Sequence, residues 1–235
     1  MAAISDTRGT ILEIVNEVRR RLGIPNAATL ASDTQAGVMV DLLNDVINYV
    51  SDYGDWQEQR QEVIATASTS VFSYLVSTAS PLKNIADVYF GTNQSRLRYV
   101  EIEDMRRFRQ SGGTGTPRQW TINGVDNTTT GNPLLEVYPQ PGTNENNTTF
   151  NILVYVKPPL YTTSDDSTIP PFPSRMLVQM LLALALLDES RGTANIDYRT
   201  ELQRFDLTIE EALNRYNYDS AGDPRFVPTR WNRRI

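Results

Sequence analysis

Apolar positions near the start of the chain recur at alternating spacings of four and three. Ile11, Val15, Val18 and Leu22 form one stripe, which predicts a first helix from Thr7 to Arg21 that stops at Gly23 and Pro25. Met39, Leu43, Val46, Val50 and Tyr53 repeat the spacing and predict a second helix from Asp33 to Tyr53. Ser32 and Gln35 form a capping-box pattern at its start, and Gly54 ends it. From Gln59 to Val156 the period shortens. Val63–Ile64, Ser70–Val76, Ile85–Tyr89, Leu97–Val100, Arg118–Ile122, Leu134–Tyr138 and Thr149–Val156 are β-leaning segments separated by Gly, Asn, Pro and Thr. A charged stretch from Glu101 to Gln110, carrying Met105 and Phe108, reads as a short helix among them. Ser111–Pro117 and Gly142–Thr148 read as exposed loops.

Helical spacing returns after a Pro- and Asp-containing linker, Lys157 to Pro173. Ser174 starts a third helix that runs to Arg191. It is apolar nearly all round from Met176 to Leu187, which makes it the central buried helix. The fourth runs from Ile196 to Tyr216, with Tyr198, Leu202, Phe205, Ile209, Ala212 and Tyr216 on one stripe. The expected fold is therefore α+β: a four-helix bundle (1–58 and 174–218) with a small antiparallel β domain and linker (59–173) inserted between helices 2 and 3. An extended C-terminal tail (219–235) follows.

Composition narrows the chemistry. The 235 residues include no cysteine and no histidine. Thiolate metal sites, cysteine nucleophiles, histidine-based zinc sites and a Ser-His-Asp triad cannot be built from this chain alone. Asp, Glu, Lys and Tyr remain, so enzymes are disfavoured as a class and not abolished. The expectation is a non-enzyme with no cofactor and no metal. A net charge of −6 argues against tight nucleic-acid binding and suits a surface past which DNA slides. No apolar run reaches the ~20 residues of a membrane span, and Met1–Thr10 carries no signal core. A protein made in the cytoplasm, without a membrane partner, is expected.

Candidate sites are few. The loop holding Gly112, Gly113 and Gly115 lacks the Gly-Lys-Ser/Thr ending of a phosphate-binding loop and leads into a strand, so a flexible loop that orders against a neighbour is the expectation. Asp165–Asp166 reads as a solvated loop. Arg19–Arg21 complements the dipole of the first helix, or meets phosphate or an acidic partner. The tail concentrates Arg225, Phe226, Arg230, Trp231, Arg233, Arg234 and Ile235 in an acidic chain. Trp and Arg are enriched where interfaces carry binding energy, so these residues read as partner-binding; packing on the tail's own domain is the other reading.

At this point the order of elements resembles a known family, the phage head-to-tail adaptor proteins of the podovirus tail tubular protein A type. The resemblance rests on Ile14–Pro25, on Leu42–Tyr49 closing near Trp56, on Pro81–Val88, Gly115–Trp120 and Leu135–Pro141 in the strand region, and on the apolar helix Leu181–Gly192 with the Tyr-bearing helix and tail behind it. It implies a structural virion protein at the head–tail junction. It further implies a homo-oligomeric ring, commonly of twelve copies, docked under the portal protein, with a tail, nozzle or tail-tube protein below and genomic DNA passing through the lumen without sequence-specific binding. It carries over no catalytic or metal residues. Two rivals remain open: another neck or tail-completion protein, and a carbohydrate-binding or hydrolytic protein using Tyr89, Tyr99, Trp120 and Tyr138 as a sugar platform.

Overall fold

The chain alternates between two ways of satisfying its backbone, and each produces its own core. The computed structural model describes residues 8–126, 131–189 and 196–220. Five α-helices and two four-stranded sheets are present among them. One unit is built from the described residues of Met1–Glu58 and Pro158–Ile235, the other from Gln59–Lys157.

In the helical unit, α1 (Ile11–Arg21) begins at a reciprocal cap. The Thr10 hydroxyl accepts from the Glu13 amide at 3.2 Å, and the Glu13 carboxylate accepts from the Thr10 amide at 2.8 Å. The helix thus starts at Ile11, later than the expected Thr7. α2 (Thr34–Tyr53) is capped by Asp33, whose carboxylate accepts from the Gln35 amide at 2.8 Å. Ser32 does not cap it: it lies in a 3-10 turn with its hydroxyl on the Thr29 carbonyl, 2.7 Å away. Past the other end of α2, the indole of Trp56 is fully buried and donates to the Val50 carbonyl at 2.7 Å, using one of the helix's last unpaired acceptors.

α4 (Ser174–Glu189) touches α1, α2 and α5 (Ile196–Ser220) and is the central helix. Met176, Leu177, Leu181 and Ala183 are inaccessible. Gln179, the polar residue inside the apolar run, is buried because its carbonyl accepts from Thr208 of α5 at 2.6 Å, which satisfies a group that would otherwise be stranded.

The segment 158–173 packs with the helices as a strap. Its Thr168 and Asp166 carbonyls accept from Ile11 and Leu12 at 2.9 and 3.3 Å, supplying partners to the open first turn of α1. Asn44 on α2 exchanges two 2.9 Å bonds with the backbone of Tyr161. Asn16 on α1 treats Ala27 in the same way, at 2.8 and 3.0 Å. Phe172 is fully buried edge-on to Trp56, ring centroids 5.5 Å apart.

The second unit departs from expectation. In place of a small antiparallel β domain inserted in a four-helix bundle, it holds two sheets and a fifth helix. The first sheet runs β1 (Arg60–Thr66), β8 (Thr149–Val156), β3 (Leu82–Phe90), β4 (Ser95–Arg96). The second runs β2 (Ser73–Leu75), β7 (Pro133–Tyr138), β6 (Gln119–Val125), β5 (Arg98–Tyr99). Pairing is antiparallel except between β5 and β6. Inward residues of both sheets share one core: Val88, Phe90, Phe150, Ile152 and Val154 from the first, Tyr74, Trp120, Leu135 and Val137 from the second. Alternation marks strands but does not assign them to sheets, because β1 finds its partner β8 far along the chain. The expected strand Leu97–Val100 is split between the sheets, since Leu97 turns into the core and donates its amide to Val88 at 2.8 Å. α3 (Ile102–Ser111) then lies against β6 and β7.

Two carboxylates give the helical unit a defined acid limit. The hydrogen bond from Arg19 and then the Gln35 amide hold Asp33 below its ordinary value. The Thr162 amide and hydroxyl do the same for Asp165. A depressed carboxylate stabilises the fold above the unfolded group's titration and loses that contribution as pH falls through the folded value. Stability is therefore expected to be flat above about pH 5 and to fall below about pH 4. Urea titrations at stepped pH check this, and D33N should flatten the acid slope. An unchanged slope in D33N would remove Asp33 from the account.

Candidate functional site

The residues singled out in the sequence do not converge on one cleft. Gly112 ends α3 with φ +65, a backbone that glycine adopts without strain, and its amide donates to the Arg109 carbonyl at 3.1 Å. Gly113 passes close to Tyr138: a Cβ there would stand 2.9 Å from the phenol oxygen. That phenol meets the Ser111 hydroxyl at 3.0 Å and donates to the Gly112 carbonyl at 3.3 Å, while its ring stacks on Phe108 at 5.6 Å. Gly115 donates its amide to Gln140 at 2.7 Å, and Gln140 donates back to Gly113 at 3.1 Å. Thr116 reaches the Glu145 carboxylate at 2.8 Å, and the other oxygen of Glu145 accepts from the Gly142 amide at 3.1 Å.

The glycine loop is thus exposed, as expected, but tied to Tyr138–Gly142 by a ladder of bonds. A phosphate cradle needs amides pointing outward in a group, and those of Gly112 and Gly115 are already spent within the protein. Its exposed surface is polar backbone with Thr114 and Thr116.

The arginine run of α1 divides. Arg19 is buried, with Nε on the Pro25 carbonyl at 2.8 Å and a terminal nitrogen on Asp33 at 2.5 Å. It clamps the α1–α2 connection and cannot reach a partner. Arg20 and Arg21 both pair with Glu17. Asp166 likewise serves the fold: its carboxylate accepts from the Leu30 amide at 2.8 Å.

The aromatic platform does not assemble. Trp120 is buried in the β core with Tyr99 edge-on at 5.1 Å, while Tyr138, beside Val137 on β7, turns to the opposite face under Phe108. Tyr89 belongs to the other sheet. Among the described residues, no group of three or more acidic side chains is placed to hold a metal ion, and no helix is long and apolar enough to cross a membrane. Arg225, Phe226, Arg230, Trp231, Arg233, Arg234 and Ile235 lie outside the described residues.

One feature of the surface was missed in the sequence. Arg98, Arg106 and Arg118 are exposed around the β5–α3–β6 edge, and none has a carboxylate partner among the described residues. The signal was present: residues 96–118 hold six arginines against three acids in an otherwise acidic chain.

A protein-family profile described as SU10 adaptor protein matches residues 9–231, nearly the whole chain and both of its units. No curated protein matches.

Proposed function

We propose, on the premise that this chain belongs to the SU10 adaptor protein family, that it works as a head-to-tail connector of a tailed bacteriophage. Membership makes it a structural phage adaptor of the head–tail junction. The finer reading is that several copies, twelve being the expected number, form a ring that joins the portal protein to a tail or nozzle protein and lets genomic DNA pass. The single observation that carries this is the extent of the family match, which covers the helical unit and the β unit together.

Physical features support it. The strap 158–173 and the reciprocal asparagine bonds stiffen the helical unit, as a load-bearing part requires. The exposed loop from Gly112 to Thr116 offers a surface already shaped by its own hydrogen bonds, so docking costs little ordering entropy. Heterologous contacts between identical subunits close into rings.

Mass photometry of the purified chain, alone and mixed with the portal ring of the same phage, tests the proposal. A small species that joins the portal in multiple copies is expected. Absence of any association across salt conditions would point to a different neck position. The tail gives a sharper arm. Deleting Pro224–Ile235 is expected to leave circular dichroism and thermal unfolding unchanged and to abolish portal attachment. Attachment at the wild-type level would exclude Arg225, Phe226, Arg230, Trp231, Arg233, Arg234 and Ile235 as the partner-binding segment.

A further inference from the structure

We infer that neighbouring copies of this chain meet by a heterologous contact: the arginine-bearing β5–α3–β6 edge of one copy docks on the exposed face of α2 in the next. This rests on the ring reading and names the surfaces that would build it.

The two faces are complementary in charge and in kind. Most described arginines are neutralised within the chain: Arg8 by Glu58, Arg19 by Asp33, Arg20 and Arg21 by Glu17, Arg96 by Asp87, Arg107 by Asp104, Arg109 by Glu136 and Arg204 by Glu201. Arg60, Arg98, Arg106, Arg118, Arg175 and Arg199 have no carboxylate partner among the described residues, and three of these six lie on the β5–α3–β6 stretch. The backbones of Arg98 and Arg118 touch at the open edge of the second sheet, the Arg98 amide donating to the Arg118 carbonyl at 2.8 Å, while Arg98 stands in register with Gln119. Arg106 adds a third arginine on the helix that follows β5. Beside them Tyr99 is 49% exposed although its ring rests on Trp120. The acids of this stretch, Glu101, Glu103 and Asp104, stand at the start of α3, where they complement the helix dipole, and Asp104 also pairs with Arg107. Arginine with tyrosine is the side-chain chemistry of a protein interface.

The face of α2 is its counterpart. Val38, Asp41, Asp45, Tyr49 and Asp52 fall within one narrow stripe at helical spacing, and all are exposed. Val38 is 47% and Tyr49 43% accessible, so the stripe is amphipathic. The twenty residues of α2 contain no lysine or arginine. The strap beside it, which brings Thr163 to 3.5 Å from the Cβ position of Gly37, contains none either and carries Asp165 and Asp166. Each face repels its own kind and attracts the other. An isologous dimer is thereby disfavoured and a head-to-tail series favoured. A double-stranded nucleic acid would satisfy the arginines but leave the α2 face without an occupant, and the chain's net charge of −6 opposes it.

A charge swap tests the contact. Wild type, R98E/R118E, D41K/D45K and the four-fold combination are each added to the portal ring, and bound copies are counted against concentration. Every substituted residue is exposed, and circular dichroism checks that each variant folds. Each double variant should need about a hundred-fold more protein to fill the ring, and the combination should return to within about ten-fold of wild type. Salt near 1 M should loosen the wild-type ring, as screening shortens to about 3 Å. A wild-type chain that fills the ring while either double variant fills it equally well overturns the inference and leaves the ring standing. A combination as poor as both parents also overturns it. A wild-type chain that binds only as single copies overturns ring and contact together. R98E/R118E that fills the ring normally but no longer retains double-stranded DNA reassigns the arginines to nucleic acid.

Discussion

Phe150→Ala is expected to destabilise the β unit by about 4 kcal/mol, the range found for truncating a fully buried phenylalanine. Phe150 is inaccessible on β8, the strand that pairs with both β1 and β3. Its ring lies 4.8 Å from Tyr74 of the second sheet and 4.8 Å from Phe90 of its own. Removing it opens a cavity where the two sheets meet, and the neighbours cannot close it without breaking ladders they belong to. Tyr74 is further held by its phenol, which donates to the Val71 carbonyl at 2.9 Å. For a unit of this size the loss corresponds to a fall in melting temperature of about 20 °C. Calorimetry with hydrogen exchange reads it: amides of β1–β8 should lose protection, while α4, with its separate core, keeps its own. Equal loss of protection in both units would mean that they unfold as one cooperative body. A change under about 1 kcal/mol would mean that the core repacks.

The three helices around α4 were legible because each repeats a four-three spacing long enough to outweigh local noise, and α4 because it is apolar nearly all round. Boundaries were less so. Helix α1 starts at Ile11 because Thr10 and Glu13 cap it reciprocally, and α2 starts at Thr34 because Asp33, which also receives Arg19, caps it. No periodicity encodes either fact. The β segments were located but not sorted, since the turn of Leu97 between sheets and the distant pairing of β1 with β8 depend on contacts far apart in sequence. The glycine loop was located too. Its tethering was not, because Tyr138 reaches it from another strand. The sequence argument weighed Arg19–Arg21 as one group, whereas the structure buries the first and leaves the other two on Glu17. The free arginines of the β5–α3–β6 edge escaped notice because their significance lies in what does not pair with them.

Arg109→Leu is expected to cost about 3 kcal/mol, and to release α3. Glu136 on β7 is 1% exposed and faces outward from its sheet, beneath α3. Arg109 lies 3.1 Å from one of its oxygens, and Asn123 donates to the other at 2.7 Å. The same guanidinium sits 3.7 Å over the ring of Phe72. Taking the arginine away leaves a buried carboxylate with one neutral partner, and a buried charge stripped of its partner is more destabilising than the intact pair is stabilising. Glu136→Gln in the same chain keeps an acceptor for Asn123 and removes the charge, so R109L/E136Q should recover at least half of the loss. Denaturant midpoints measure both. Failure of the second substitution to rescue would place the effect in the contact with Phe72 and not in the ion pair. Hydrogen exchange over Ile102–Ser111 should rise in R109L and return in the double variant. Because Arg106 rides on that helix and the glycine loop leaves its end, the pairing of Arg109 with the buried Glu136 sets where both are displayed. A chain that loses it should assemble poorly even where its helical unit stays folded.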